Sequence, residues 1–205
     1  MKLSQFKNKH LNDKIIVLGL GMSTKKILDV DTSNVILFGV NDIGRLIKPT
    51  YMLVVDTPSK FTPQRHKHII QSGAQYMFSQ IPDWKPMNPT LKVTFDLGVN
   101  QLRNIDNPDK VDYSNNSPYM AILIAYKMGC KNIGLLGVDF TPNHFFENDG
   151  EHVLVKTNRL KDIDQAYKNL TEALNSRHVN LYNLNNESLI TSIPKMSIHE
   201  FIKNK

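Results

Sequence analysis

Two glycines bracket a strand end at Gly19-Leu20-Gly21, and Ser23 and Thr24 follow within one turn. Where a strand turns into a helix, such glycines let the backbone approach a phosphate that the helix N-terminal amides hold. A hydroxyl from Ser23 or Thr24 adds a further contact. The dinucleotide-binding pattern is incomplete: Thr24 stands where a third glycine belongs, and the next strand ends on Asn41-Asp42 instead of a lone acid. A tight turn that needs glycine for steric reasons is the plainer reading of the same residues.

Polar residues recur at other strand ends, as Asn41 with Asp42, Asp56 and Asp139. In an open α/β sheet the carboxyl ends of the strands border the ligand crevice, so these side chains converge from separate parts of the chain. Their carboxylates suit a divalent metal or the ribose hydroxyls of a nucleotide, although Asn and Asp also serve turns and caps. Beyond Asp139 a polar loop carries His144, Asp149 and His152. A neutral imidazole near pH 7 can take a proton from an acceptor hydroxyl, which makes one of these histidines a candidate general base. No cysteine accompanies them, so zinc is the weaker reading. The lone Cys130 lies between a helix-ending glycine and an apolar strand and reads as buried.

The elements that must position these residues alternate. Lys14 to Leu20, Val35 to Val40 and Tyr51 to Val55 are near-continuous apolar runs; the first runs into a glycine turn after which Lys25, Ile27 and Leu28 open a helical stretch, and the other two stop on polar residues. Continuous apolar strands separated by short helices predict a parallel sheet covered on both faces. The middle, residues 79–117, is rich in Pro and Asn, and only Leu91 to Leu97 is strand-like there. It reads as a lid over a site or as an irregular insertion. A helix is expected over Pro118 to Met128 with Ser117 as its cap, then a strand over Asn132 to Val138. Leu160, Ile163, Ala166, Tyr167, Leu170, Ala173 and Leu174 recur at helical spacing as a packing stripe. Val179 to Leu184 reads as the last strand and Ser197 to Lys203 as a capped helix. The expected fold is a single-domain, Rossmann-like α/β structure over 1–205.

With 40% hydrophobic and 21% charged residues the composition is that of a globular protein. Apolar runs fall far short of the ~20 residues of a membrane span. No secretory signal and no second cysteine are present, which favours a cytoplasmic protein. The net charge of +6 favours anionic partners such as nucleotides or nucleic acid. No feature sets an oligomeric state.

Taken together, these residues resemble the bacterial oligosaccharide sialyltransferases and the related pterin-pyrophosphokinase-like domains. The likeness runs through Gly19-Leu20-Gly21-Met22-Ser23, Asn41 and Asp56-Thr57-Pro58. It continues in Ser117, Pro118, Tyr119 and Met120, in Gly129, in Gly137-Val138-Asp139-Phe140, and in Leu181-Tyr182 with Ser188-Leu189. The resemblance implies an inverting glycosyltransferase whose nucleotide-sugar donor is held by Gly19, Gly21, Ser23, Asn41, Asp56, Ser117 and Asp139. It places the general base on His152 and requires no metal. Leu20 and Met22 replace the family's Asn and Pro, which argues against cytidine-linked sialic acid as donor. Tyr113 and Tyr119 stand near the place where the family's tyrosines assist the leaving phosphate. The acceptor is then a glycan or, given the basic charge, a modified base in DNA. Two alternatives share the fold: a magnesium-dependent nucleotide pyrophosphokinase using Asp42, Asp56 and Asp139, and a non-catalytic module that binds a nucleotide or nucleic acid.

Overall fold

A computed structural model of the chain describes residues 1–99, 102–140 and 159–203. Seven parallel strands form the main sheet in the order β5-β4-β3-β2-β1-β8-β9. They are β1 (Lys14–Leu18), β2 (Ile36–Val40), β3 (Tyr51–Leu53), β4 (Tyr76–Phe78), β5 (Leu91–Val93), β8 (Asn132–Leu136) and β9 (Asn180–Asn183). A separate two-stranded parallel sheet joins β6 (Asp96–Gly98) to β7 (Lys110–Asp112). β1 lies inside the sheet, pairing with β2 from Ile15↔Ile36 and with β8 from Lys14↔Asn132. From β1 the chain steps one way to β5, and from β8 it steps the other way to β9. The order therefore reverses between β1 and β8, and right-handed crossovers running in opposite directions place their connections on opposite faces.

The apolar runs become strands because both sheet faces are covered. Ile15 to Leu18 have no exposed surface, and Phe38, Met52, Leu53, Met77 and Phe78 are equally closed. Four α-helices are described: α1 (Pro63–Ile70), α2 (Ser117–Lys127), α3 (Leu160–Asn175) and α4 (Ile198–Lys203). In α2 every residue from Tyr119 to Ala125 is buried, so this helix is apolar all round and packs between the sheet and α3. Its cap differs from expectation. Asn116 accepts from the Tyr119 N–H, and Ser117 with Pro118 opens the first turn. The stretch after Gly21 is a 3-10 helix, Met22–Asp29, and the expected strand over Leu91 to Leu97 divides into β5 and β6, which belong to different sheets. β4 and α1 were not anticipated.

Residues 79–117 supply β5, β6 and β7 and are tied to the rest of the chain. The Lys127 ammonium donates to the carbonyls of Asn104, Ile105 and Asn107 at 2.8, 2.6 and 2.8 Å. Burial pushes its pKa down to about 8, opposed by the negative charges of Asp112 and Asp106 nearby. Beside it Asp106 takes both a fork from Arg177, at 3.0 and 2.7 Å, and the Tyr126 hydroxyl at 2.6 Å. The Arg177 bonds first, then that of Tyr126, hold the Asp106 carboxyl at about 2, below its ordinary 3.8. A depressed carboxylate contributes stability above its unfolded value and loses it as pH falls through the folded one. Between pH 4 and 2, the melting temperature of the wild type should therefore fall more than that of Asp106→Asn; parallel curves would mean the pair contributes nothing.

Candidate functional site at the switch point

β1 ends against β8 at the reversal of strand order, and the chain closes the gap there with backbone and polar side chains. Gly19 N–H donates to Leu136 O and Gly21 N–H to Gly137 O, both at 2.8 Å. These bonds extend the β1–β8 ladder one step beyond the strands. Gly137 has φ +80°, and a Cβ there would collide with Thr24 Oγ1. A Cβ on Gly21 would lie 2.6 Å from Asp139 Oδ2. The glycines of the first turn thus allow close approach of the loop after β8. Thr24 Oγ1 donates to Gly19 O at 2.9 Å, which closes the turn on itself.

Asp139 is 3% exposed and organises this junction. One carboxylate oxygen accepts from Ser23 Oγ at 2.5 Å and Asn185 Nδ2 at 2.9 Å, and the other accepts from Ser23 N–H at 2.8 Å. Ser23 Oγ in turn accepts from Gly137 N–H at 3.0 Å. Asn185, which follows β9, was not singled out from the sequence; it also accepts from Lys26 Nζ at 2.9 Å. Ser188 Oγ donates to Val138 O at 2.7 Å, tying the same loop to the β8 end. The carboxyl ends of β1, β8 and β9 are thereby fixed relative to one another, with the 3-10 helix emerging between them.

The other expected site residues follow β2, β3 and α2. Asn41 leaves β2 with φ +49°, its N–H donating to Leu53 O at 2.9 Å. Asp42 turns inward instead of facing the crevice: it has no exposed surface and pairs with Arg45 at 3.0 Å and Arg65 at 2.7 Å. Asp56 stays exposed after β3, its carbonyl held by Trp84 Nε1 at 2.7 Å. Ser117 is half-buried at the start of α2, beside Tyr119, whose hydroxyl pKa burial raises. The structure therefore gathers Gly19, Gly21, Ser23 and Asp139 in one cluster and sets Asn41 and Asp56 farther along the same edge. Asp42, Asp56 and Asp139 do not form a triad, and among the described residues no three His, Cys, Asp or Glu gather as a metal would require. His144, Asp149 and His152 lie outside the described residues.

Chains of similar fold occur among solved structures. The fold is sialyltransferase-like. Over 94% of this chain and 89% of the other, it matches the sialyltransferase CST-II in complex with a trisaccharide acceptor and CMP, with TM-score 0.55 and 17% identity. CstII from Campylobacter jejuni bound to CMP-3FNeuAc matches over 90% and 86%, with TM-score 0.53 and 19% identity. The MAf glycosyltransferase from Magnetospirillum magneticum AMB-1 matches 96% of this chain with TM-score 0.61 and 12% identity, and the chain spans 37% of that protein. No family model and no curated protein matches the sequence. Among the described residues no helix is long and apolar enough to cross a membrane.

Proposed function

We propose that the protein is a cytoplasmic glycosyltransferase that binds a nucleotide-sugar at the carboxyl edge of the sheet and passes the sugar to an acceptor hydroxyl with inversion. The observation that carries this reading is the Ser23–Asp139–Asn185 clamp at the switch point, in a fold shared with glycosyltransferases that bind CMP. In this reading the clamp holds the Gly19–Ser23 turn rigid, so that its backbone and the start of the 3-10 helix face the donor phosphate. Asn41, Asp56 and Ser117 line the rest of the nucleotide-sugar, and His152 is the general base. The acceptor oxygen bonds to the anomeric carbon as its proton passes to His152. The bond from that carbon to the phosphate oxygen breaks, and its electron pair leaves on the nucleotide. No step calls on a metal. The acceptor is a glycan hydroxyl or that of a modified base in DNA.

Thermal melting against uridine, cytidine, guanosine and adenosine nucleotides and their sugars tests the reading, because a ligand bound only to the folded state raises the melting temperature. A shift with one nucleotide-sugar, unchanged by a chelator, is expected. His152→Ala should keep that shift and lose transfer of sugar to acceptor. A shift that needs a triphosphate and magnesium would transfer the site to a pyrophosphokinase, and an active His152→Ala would remove the base.

A further inference from the structure

The two halves of the carboxyl edge leave different groups unpaired: on the β8–β9 side a donor, Asn183 Nδ2 at the end of β9, and on the β2–β4 side two acceptors. On the β8–β9 side the Asp139 oxygens, Ser23 Oγ and the Asn185 amide are all engaged within the protein. On the β2–β4 side two side-chain oxygens, Asn41 Oδ1 and Gln80 Oε1, are buried with no hydrogen-bond partner. The Gln80 amide has a settled orientation, because its Nε2 donates to Val55 O at 2.9 Å and the reversed amide would set oxygen against oxygen. Asn41 directly follows β2 and Gln80 follows β4. Val40 pairs with Leu53 and Leu53 with Phe78, so the two residues stand near one level of the edge on either side of the chain leaving β3. Two strand spacings put their backbones roughly 10 Å apart.

Between them β3 runs on to Asp56, an exposed carboxylate. Among the described residues this half of the edge therefore carries three hydrogen-bond acceptors: the amide oxygens of Asn41 and Gln80, closed off from solvent in the unliganded chain, and the exposed Asp56 carboxylate. Asp42 adds nothing to the set, since Arg45 and Arg65 hold it inside. Buried acceptors left unpaired cost free energy comparable to a lost hydrogen bond, and a ligand that supplies donors recovers it. A neutral sugar carries several hydroxyl donors. A carboxylate has none and would face unpaired oxygens beside the Asp56 charge.

We infer that the β2–β4 end of the crevice is the sugar subsite, that Gln80 determines its specificity, and that it takes a neutral sugar presenting O–H or amide N–H donors while rejecting an acidic one. This inference rests on the nucleotide-sugar reading of the site. Calorimetric titration tests it with three probe series: UDP, UDP-glucose and UDP-glucuronate; GDP and GDP-mannose; CMP and CMP-sialic acid.

In the series that binds, the neutral sugar should raise affinity over the bare nucleotide about tenfold, and the acidic sugar should not raise it. Gln80→Met should bring the neutral sugar to within about threefold of the nucleotide and leave the nucleotide itself unchanged. Asn41→Gly, which tolerates the left-handed backbone, serves as the second variant and should move in the same direction. An acidic sugar that binds tighter than its nucleotide would overturn the inference. So would a sugar increment that survives both variants, or binding of uridine or guanosine nucleotide with no increment from the neutral sugar joined to it. If no nucleotide in any series binds, the nucleotide-sugar reading falls and takes this inference with it.

Discussion

Asp139→Ala is expected to lower the melting temperature by roughly 10 °C, and in the folded variant to abolish the stabilisation by nucleotide-sugar. The substitution strands three donors, Ser23 N–H, Ser23 Oγ–H and Asn185 Nδ2, inside a junction where Asp139 is 3% exposed. Each buried donor left unpaired costs roughly 1–3 kcal/mol, and partial relaxation brings the sum to about 3–5 kcal/mol. At about 2–4 °C per kcal/mol for a chain of this size, that is a shift of roughly ten degrees. The loss of ligand response has a separate origin: without the carboxylate, the buried link from Ser23 to Asn185 is gone, and the bond from the exposed Lys26 to Asn185 is left to hold the turn after β1 against the loop after β9. Differential scanning calorimetry with and without the donor separates the two effects. A melting temperature within a degree or two of wild type would show that water replaces the carboxylate and that the junction is not a clamp.

Asp42→Ala should reduce unfolding free energy by about 3–5 kcal/mol, since removing one partner of a buried ion pair leaves charge uncompensated. Here the remaining charges are two guanidiniums, Arg45 at 3.0 Å and Arg65 at 2.7 Å, the latter also lying over the Phe61 ring at 5.1 Å. Arg65 sits at the start of α1, so the damage should spread to that helix and the chain between β3 and β4. Urea unfolding measures the free-energy change, and amide exchange locates it. Protection confined to wild-type levels in α1, with an unchanged urea midpoint, would refute the role given to Asp42.

The sheet was legible where strands are buried on both faces. β1, β2, β3 and β8 announce themselves as apolar runs, because a parallel strand covered on both sides has no polar alternate face, whereas β9, at the sheet edge with Asn180 exposed, shows only through the Val179 to Leu184 segment. β4 escaped because Tyr76-Met77-Phe78 is three residues long and lies between polar neighbours. α1 escaped because Ile69 is its one buried residue, which leaves no stripe to detect. The cap of α2 was misplaced by one residue, since Asn116 and Ser117 are both good caps and only geometry chooses between them.

At the site, the rule that polar residues end parallel strands led to Ser23, Asn41, Asp56 and Asp139. The same rule applied to the Val179 to Leu184 run would have found Asn185. Gln80 was hidden with β4. The inward turn of Asp42 depends on Arg65, more than twenty residues away in sequence, and no local pattern carries that. The glycines of the first turn also had a meaning that only the fold reveals: they fit against Gly137 and Asp139.

The interior position of β1 has a kinetic consequence. Its partner β2 follows at once, but its other neighbour begins at Asn132, so during synthesis one edge of Ile15 to Leu18 waits for more than half the chain. Such a strand presents unpaired amides and carbonyls with an apolar side-chain row, the combination that nascent chains mispair and chaperones shield. Closing the β1–β8 seam joins the two halves of the sheet and brings Asp139 to Ser23, and Asn185 completes the polar junction once β9 has been added. A ribosome-bound chain halted before β8 therefore has every other residue of the first turn in place and no crevice for it to face.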